Sequence, residues 1–382
     1  MKVLYDSAGM TSPFGGVPLS FAEMIRRLPE SVEPVLAIRR TCNESFQSPP
    51  YGLPACPDLY RSFVSTAEFR GKWRLWQMAK RFFPRWFPDY EAENEGYLSE
   101  LLDRGDFDVL HLTGAHVYGN AWRKVVGKKP IVITVHDLIP EIIRHDVRIG
   151  AIRREMLNAA SHVIAVSECT KRDLICLYGV DEEKVTVVHH GSPRVGDGQS
   201  TTAGCRLPTA GYLLFVGGRA GYKNWGPMVT ALAPLLKEGL RLVCTGLPFS
   251  NGERRLLRRL GVSDRVEQRR VRMAEFPSLY ARAAAFVFPS RYEGFGLPIL
   301  DAFAAGCPVV LARRSCFPEI AADAAEYFDP EDGDALRNAV VKILDDAGWR
   351  AELARRGKLR TAAFSWKRAA LETASVYERC CR

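Results

Sequence analysis

Two carboxylates, Glu293 and Asp301, bracket a glycine-bearing turn: Glu293-Gly294-Phe295-Gly296-Leu297-Pro298-Ile299-Leu300-Asp301. Such a spacing suits recognition of a hydroxyl-rich anion. Gly294 and Gly296 let the backbone reach positive φ and pass close to a ligand. Pro298 fits the first turn of a helix, where its missing N–H is no loss. The amides of Gly296 and Leu297 then lie at a helix N-terminus, whose dipole favours phosphate. Glu293 precedes that end and Asp301 lies about one turn inside it, so both can accept sugar hydroxyls beside the anion. An apolar run, Ala283 to Pro289, leads in and an alanine-rich stretch follows. The order is strand, loop, helix. The competing reading is a strand–turn–helix packing motif with no ligand.

A second group is cationic. Tyr212-Leu213-Leu214-Phe215-Val216-Gly217-Gly218-Arg219 is an apolar strand opening into a glycine turn, followed by Lys223 and Asn224. Ligands of open α/β sheets bind beyond the carboxyl ends of strands. A fixed guanidinium and a mobile ammonium there would clamp a pyrophosphate and stabilise it as it leaves. A solvated basic turn is the alternative. Phe14-Gly15-Gly16-Val17-Pro18 follows the first strand, and Ile131 to Val135 ends on His136-Asp137. Glu141 is a further carboxylate, with helix capping as its plainer role. His189 and His190 close the last strand of the first half, where packing is the plainer role.

Glu293 to Asp301 resembles the E-x7-E motif of the family 4 glycosyltransferases, which have the GT-B fold. The flanking text, Phe286-Val287-Phe288-Pro289-Ser290 and Ala302-Phe303-Ala304-Ala305-Gly306-Cys307-Pro308-Val309, resembles them too. Asp301 departs from the usual Glu, and its carboxylate reaches about one C–C bond less far. The resemblance implies a catalytic set of His136, Glu293, Arg219 and Lys223. Glu293 would hold hydroxyls of the donor sugar and His136 would hydrogen-bond that sugar near its reacting carbon. Arg219 and Lys223 would hold the diphosphate beside Asn224. Gly294, Phe295, Gly296 and Leu297 would offer main-chain contacts, and Asp301 would face the ribose. Gly15 and Gly16 would lie by the diphosphate and acceptor, and Val271 by the base. Asp137 would orient loops or accept from the acceptor hydroxyl. Retaining chemistry is implied, and no side chain is placed as a covalent nucleophile. A front-face route, in which the departing phosphate helps deprotonate the acceptor, is therefore expected. No DxD-like pair stands at a strand end, so neither metal nor cofactor is expected and the nucleotide sugar is substrate.

The elements that must position these residues are short strands alternating with helices. The 382 residues are too many for one ordinary core and predict two domains. The first half holds candidate strands Val3–Tyr5, Val35–Ile38, Val109–Leu112, Ile131–Val135, His162–Val166 and Val185–Val188. Its candidate helices are Pro18–Leu28, Ala151–Ala160 and Glu168–Leu177, with Ser167 as a cap. Gly191 to Gly211, rich in Gly, Ser, Thr and Pro, reads as a linker. The alternation restarts with Tyr212–Val216, Arg241–Thr245, Val266–Gln268, Ala285–Phe288 and Val309–Leu311. The expected class is α/β: two doubly wound Rossmann-like domains with a cleft between them. The expected boundaries are 1–195 for an acceptor-side domain and 196–365 for a nucleotide-sugar domain. The resemblance implies that a final helix, 366–382, crosses back to the first domain.

The net charge of +9 favours anionic partners: nucleotide, lipid headgroups or nucleic acid. Ten cysteines are scattered without a CxxC pair, so reduced thiols and no metal site are expected. No apolar run reaches the roughly 18 residues of a membrane span. Asp6 comes too early for a signal peptide, which predicts a cytoplasmic protein. Phe69 to Tyr90 interleaves Arg70, Lys72 and Arg74 with Trp73 and Trp76. It suits peripheral contact with the inner face of a membrane, against internal packing or aromatic stacking on nucleic acid. The text Arg219 to Asn224, with His136 to Glu141, looks most like bacterial mannosyl- or rhamnosyltransferases of O-antigen type. The expected function is transfer of a hexose, mannose from GDP-mannose first, to a glycan or lipid-linked glycan of a surface polysaccharide such as lipopolysaccharide. No nucleic-acid partner is expected. The alternatives are a nucleotide-sugar epimerase, or an inactive basic adaptor on the same fold. A dinucleotide oxidoreductase would need a GxGxxG that Gly9 and Gly15-Gly16 do not supply.

Overall fold

Continuous apolar runs bounded by glycines and prolines become parallel strands, because a parallel sheet is covered on both faces. The computed structural model describes residues 1–12, 15–56, 75, 78, 81–82, 90–114, 119–192, 211–219 and 221–382. The 69–90 stretch lies outside these apart from five positions, and so does most of the 191–211 linker. The described residues form two units: Met1–Gly191 together with Trp366–Arg382, and Ser192–Ser365.

In the first unit the strands are β1 (Lys2–Tyr5), β2 (Glu33–Leu36), β3 (Val109–Leu112), β4 (Ile131–Val135), β5 (His162–Ala165) and β6 (Val185–Val187). They pair in parallel in the order β2-β1-β3-β4-β5-β6. The helices are α1 (Gly16–Ile25), α2 (Glu44–Gln47), α3 (Tyr90–Arg104), α4 (Ile139–Ile142), α5 (Val147–Ala159) and α6 (Glu168–Tyr178). Helix α5 begins four residues before the expected Ala151, because the Asp146 carboxylate accepts from Ile149 N at 3.0 Å and caps it there. Ser167 caps α6 by accepting from Thr170 N at 3.1 Å, and Gly179 ends it at φ 66°. Leu110, Ile131, Ile133, Val163 and Trp122 fill the core between sheet and helices.

The chain's last helix, here α14 (Trp366–Cys380), belongs to this same unit. Its Tyr377 is fully buried and ties three strands together. The Tyr377 hydroxyl bonds Tyr5 Oη at 2.7 Å and His111 Nδ1 at 2.5 Å, while His111 Nε2 meets Thr134 Oγ1 at 2.8 Å. Burial pushes the His111 imidazole down to about 3, so it stays neutral in the core. Tyr377→Phe strands Tyr5 and His111 without that partner. The variant is expected to lose about 2 kcal/mol of stability, read from the urea midpoint.

The second unit holds β7 (Tyr212–Phe215), β8 (Arg241–Thr245), β9 (Val266–Arg269), β10 (Ala283–Phe288), β11 (Val309–Ala312) and β12 (Glu326–Phe328). Their parallel order is β12-β11-β10-β7-β8-β9. The helices are α7 (Trp225–Lys237), α8 (Asn251–Leu260), α9 (Phe276–Ala281), α10 (Leu297–Ala304), α11 (Phe317–Ala321), α12 (Gly333–Asp345) and α13 (Ala347–Thr361). The chain starts at β7, winds outward through β8 and β9, then returns to β10 on the other side. The strand order therefore reverses between β7 and β10, and a crevice opens beyond their carboxyl ends.

Candidate functional site

Both loops that leave this crevice carry the residues singled out above. Beyond β7, Gly217 turns the chain at φ 108°, and a one-turn helix, Gly221–Lys223, delivers Lys223. Asn224 then starts α7 from the left-handed region, φ 56°, with its amide nitrogen donating to Pro330 O at 3.0 Å. Beyond β10, the chain runs through Ser290 to Glu293 and enters α10 from Gly296, φ 92°. Of the two glycines in that turn only Gly296 takes positive φ. Pro298 stands in the first turn of α10.

The two loops are joined by Arg291 N donating to Tyr222 O at 2.9 Å. Next to that bond Lys223 Nζ donates to Glu293 Oε1 at 2.5 Å, with the side chains only 16% and 11% exposed. The Lys223 ammonium also lies 5.2 Å from the Tyr222 ring centre and 5.3 Å from that of Phe288. Two aromatic faces and a carboxylate thus hold one cation in place. Ser315 clamps the Glu293 backbone from both sides: it accepts from Glu293 N at 3.1 Å, and its hydroxyl donates to Glu293 O. Ser315 itself sits at φ 53°.

Arg219 is held by several partners within the protein. Its Nε donates to Glu253 Oε1 at 2.6 Å, Nη1 to Thr245 O at 3.2 Å, and Nη2 to Leu247 O at 2.5 Å and Pro248 O at 3.1 Å. A guanidinium has five N–H donors, and the protein already engages most of them. The side chain is 5% exposed and lies over Phe249, 4.9 Å from the ring centre. Arg219 therefore staples the β8–α8 loop to the turn after β7. Burial pushes the Glu253 carboxyl up, but the hydrogen bonds from Arg219 and Ser250 outweigh it and hold it below its usual range.

Asp301 lies in α10, and no hydrogen bond reaches its carboxylate from the described residues. The residue as a whole is only partly covered, yet burial of the carboxyl pushes it up to about 7. Its charge in turn adds to burial in pushing the Tyr280 phenol well up. A carboxyl with a raised folded pKa is most favourable below its unfolded value of 3.8, and its contribution is lost as pH rises through about 7. Asp301→Asn is therefore expected to raise Tm at pH 8 and to change it little at pH 4. Thermal melts at the two pH values check this. Val271 follows β9 on the same carboxyl edge and is part-exposed.

In the first unit, Gly15 precedes α1 at φ 127° and Gly16 opens that helix. His136 follows β4, with its ring edge-on to Phe21 at 5.3 Å and stacked on His190 at 5.5 Å. His190 packs in turn on Trp366 at 5.6 Å. Burial first, then the neighbouring His190, His111 and Arg153, keeps His136 well below the usual imidazole range. Its Nε2 is buried and has no hydrogen-bond partner among the described residues. Asp137 accepts from Ile139 N at 3.0 Å and so fixes the entry to α4. Glu141 is a strut, not a cap: it accepts from Arg153 Nε at 2.5 Å and Tyr178 Oη at 2.8 Å.

Sequence reasoning missed Ser315, Glu253 and Arg153. Each lies more than ten residues from its partner, and only the signature of a strand-to-helix loop before α11 could have pointed to Ser315. No group of three or more His, Cys, Asp or Glu among the described residues stands close enough to hold a metal ion. No described helix is long and apolar enough to cross a membrane.

The model of Glycosyltransferase Family 4 matches residues 14–192, and that of Glycosyl transferases group 1 matches residues 210–346. The O-antigen chain mannosyltransferase B of Escherichia coli is 41% identical over 27% of this chain and 27% of its own length. The match thus spans about a quarter of that relative. The MMP alpha-(1->4)-mannosyltransferase of Mycolicibacterium hassiacum is 27% identical over 72% of this chain and 71% of its own. Among solved structures, Anabaena HepE in complex with UDP-glucose superposes with a TM-score of 0.69 at 18% identity, covering 99% of this chain and 100% of that one. The two doubly wound sheets and the two family models agree: the chain carries a Glycosyltransferase Family 4 domain over residues 14–192 and a Glycosyl transferases group 1 domain over residues 210–346, on the GT-B fold.

Proposed function

We propose that the protein is a retaining hexosyltransferase that moves mannose from GDP-mannose to a glycan or lipid-linked glycan of a surface polysaccharide. The observation that carries this reading is the Lys223–Glu293 pair at the strand-order reversal of the second unit. A sugar diphosphate has both things the pair can bind: hydroxyls for the carboxylate and anionic oxygens for the ammonium. The Gly296 and Leu297 amides at the start of α10 face the same anion. Arg219 contributes its charge and holds the loop. On the first unit, neutral His136 offers its unpartnered Nε2 to a sugar hydroxyl, and Gly15, Gly16 and Asp137 shape the loops around it. Asn224, Gly294, Phe295 and Asp301 complete the donor side, with Val271 toward the base.

In the reaction the bond from the anomeric carbon to the diphosphate oxygen breaks, and a bond to the acceptor oxygen forms on the same face. The acceptor proton passes to the departing phosphate oxygen, and Lys223 compensates the charge that builds there. Mannose is favoured because two relatives are named mannosyltransferases; the HepE structure holds UDP-glucose, which makes uridine the rival base. Thermal shift with GDP, UDP, dTDP and ADP tests the reading, since a ligand of the folded form alone raises Tm. GDP is expected to give the largest shift. A shift from UDP but not GDP replaces the donor, and no shift from any of the four overturns the transferase reading. An α-linked product from GDP-α-mannose, seen by NMR, checks retention.

A further inference from the structure

The second unit carries a charge feature that the donor site does not use. Residues 251–272 contain eight arginines, no lysine and three carboxylates, so more than half of the chain's net charge of +9 sits in this stretch. The carboxylates are already taken. Glu253 is held by Arg219 at 2.6 Å, Asp264 by Arg265 at 3.2 Å, and Glu267 by Arg269 at 2.6 Å and Arg241 at 3.6 Å. Arg254, Arg255, Arg258 and Arg259 of α8 remain exposed, and none of them is in an ion pair among the described residues.

The four form two rows, 254/258 and 255/259, with members about 6 Å apart along the axis. Like charges at this spacing weaken a helix. Arg254 and Arg255 also follow closely on the positive end of the helix dipole, where a cation is unfavourable. The helix holds this arrangement through other means. Ser250 and Glu253 form a capping box, Gly261 closes the far end at φ 69°, and Leu257 is buried beneath. The result is a firm platform that presents guanidinium groups to the outside at some cost to the helix. Guanidinium forks match phosphate oxygens better than ammonium groups do.

We propose that this face of α8 docks on a bilayer surface rich in anionic phospholipid. Charge complementarity supports the assignment, and the absence of any aromatic residue from α8 favours lipid over single-stranded nucleic acid, which uses stacking platforms. The inference rests on charge and helix geometry alone and stands whichever nucleotide sugar is the donor.

The test uses the full chain and its R254Q/R255Q/R258Q/R259Q variant in sedimentation with vesicles of phosphatidylglycerol or of phosphatidylcholine. Each arginine near an anionic surface is worth roughly fivefold in partitioning at low salt. The variant is therefore expected to bind phosphatidylglycerol vesicles several-hundredfold more weakly, with an unchanged nucleotide thermal shift showing that it is folded. Equal binding of the two proteins, or equal binding of the wild type to both vesicle types, overturns the proposal. So does single-stranded RNA that binds tighter than the vesicles and loses its binding in the same variant, because the partner is then nucleic acid.

Discussion

Glu293→Gln is expected to lower the rate of sugar transfer by about 10²–10³-fold while the fold survives. The amide keeps the shape of the side chain but removes the charge that holds Lys223 at 2.5 Å. It also presents a donor where the sugar hydroxyl needs an acceptor. Lys223→Ala should cost a similar factor, because the leaving diphosphate loses its compensation. The two effects should not add. Once one partner is gone, the other has lost its position, so the double variant is expected to resemble the worse single one. Steady-state release of the nucleoside diphosphate measures all three. Full additivity would mean that the two side chains act on separate events.

Arg219→Ala is expected to destabilise the second unit by about 3–5 kcal/mol, the cost of breaking a buried ion pair by removing one partner. Glu253 would lose its counter-charge, and Thr245, Leu247 and Pro248 would lose a donor to their carbonyls. Arg219→Lys should recover only a part, since one ammonium cannot reach the directions of a planar fork. The acid limb gives an independent readout. The Glu253 carboxyl is held below its unfolded value of 4.5, so its contribution is in place above that pH and is lost as pH falls through the folded value. In the alanine variant that slope should shrink, because only the hydrogen bonds from Ser250 then hold the carboxyl down. Urea midpoints across pH record both effects. An open phosphate clamp would behave oppositely: unchanged stability and lost nucleotide binding.

The strands were legible because the central ones are mostly apolar runs, as Ile131 to Val135 and Tyr212 to Phe215 show. Strand β12, Glu326–Phe328, was not expected: it is three residues long, at a sheet edge, and begins with a charge. Helix α3 also escaped notice. It is rich in acids, and only Tyr90, Asn94, Leu98 and Leu102 are buried, a narrow stripe at every fourth position. In the site, the sequence placed Lys223 and Glu293 correctly at strand ends, because loop position follows from strand order. It placed Arg219 at the right loop but did not show its partners within the protein. Guanidinium chemistry fits a diphosphate and a set of carbonyls equally, and only the path of the β8–α8 loop reveals the carbonyls. Asp301 shows the same limit: burial pushes its carboxyl up to about 7, and its charge acts on Tyr280, twenty-one positions earlier in the chain.

Helix α14 has a consequence for biosynthesis. Tyr5 and His111 emerge from the ribosome before the second unit, but Tyr377 is translated only after it. The N-terminal sheet must therefore wait, with two polar groups unsealed, while the entire second unit is made. A chain stalled or trimmed before residue 366 would display that gap to proteases and chaperones, even with its nucleotide-binding half intact.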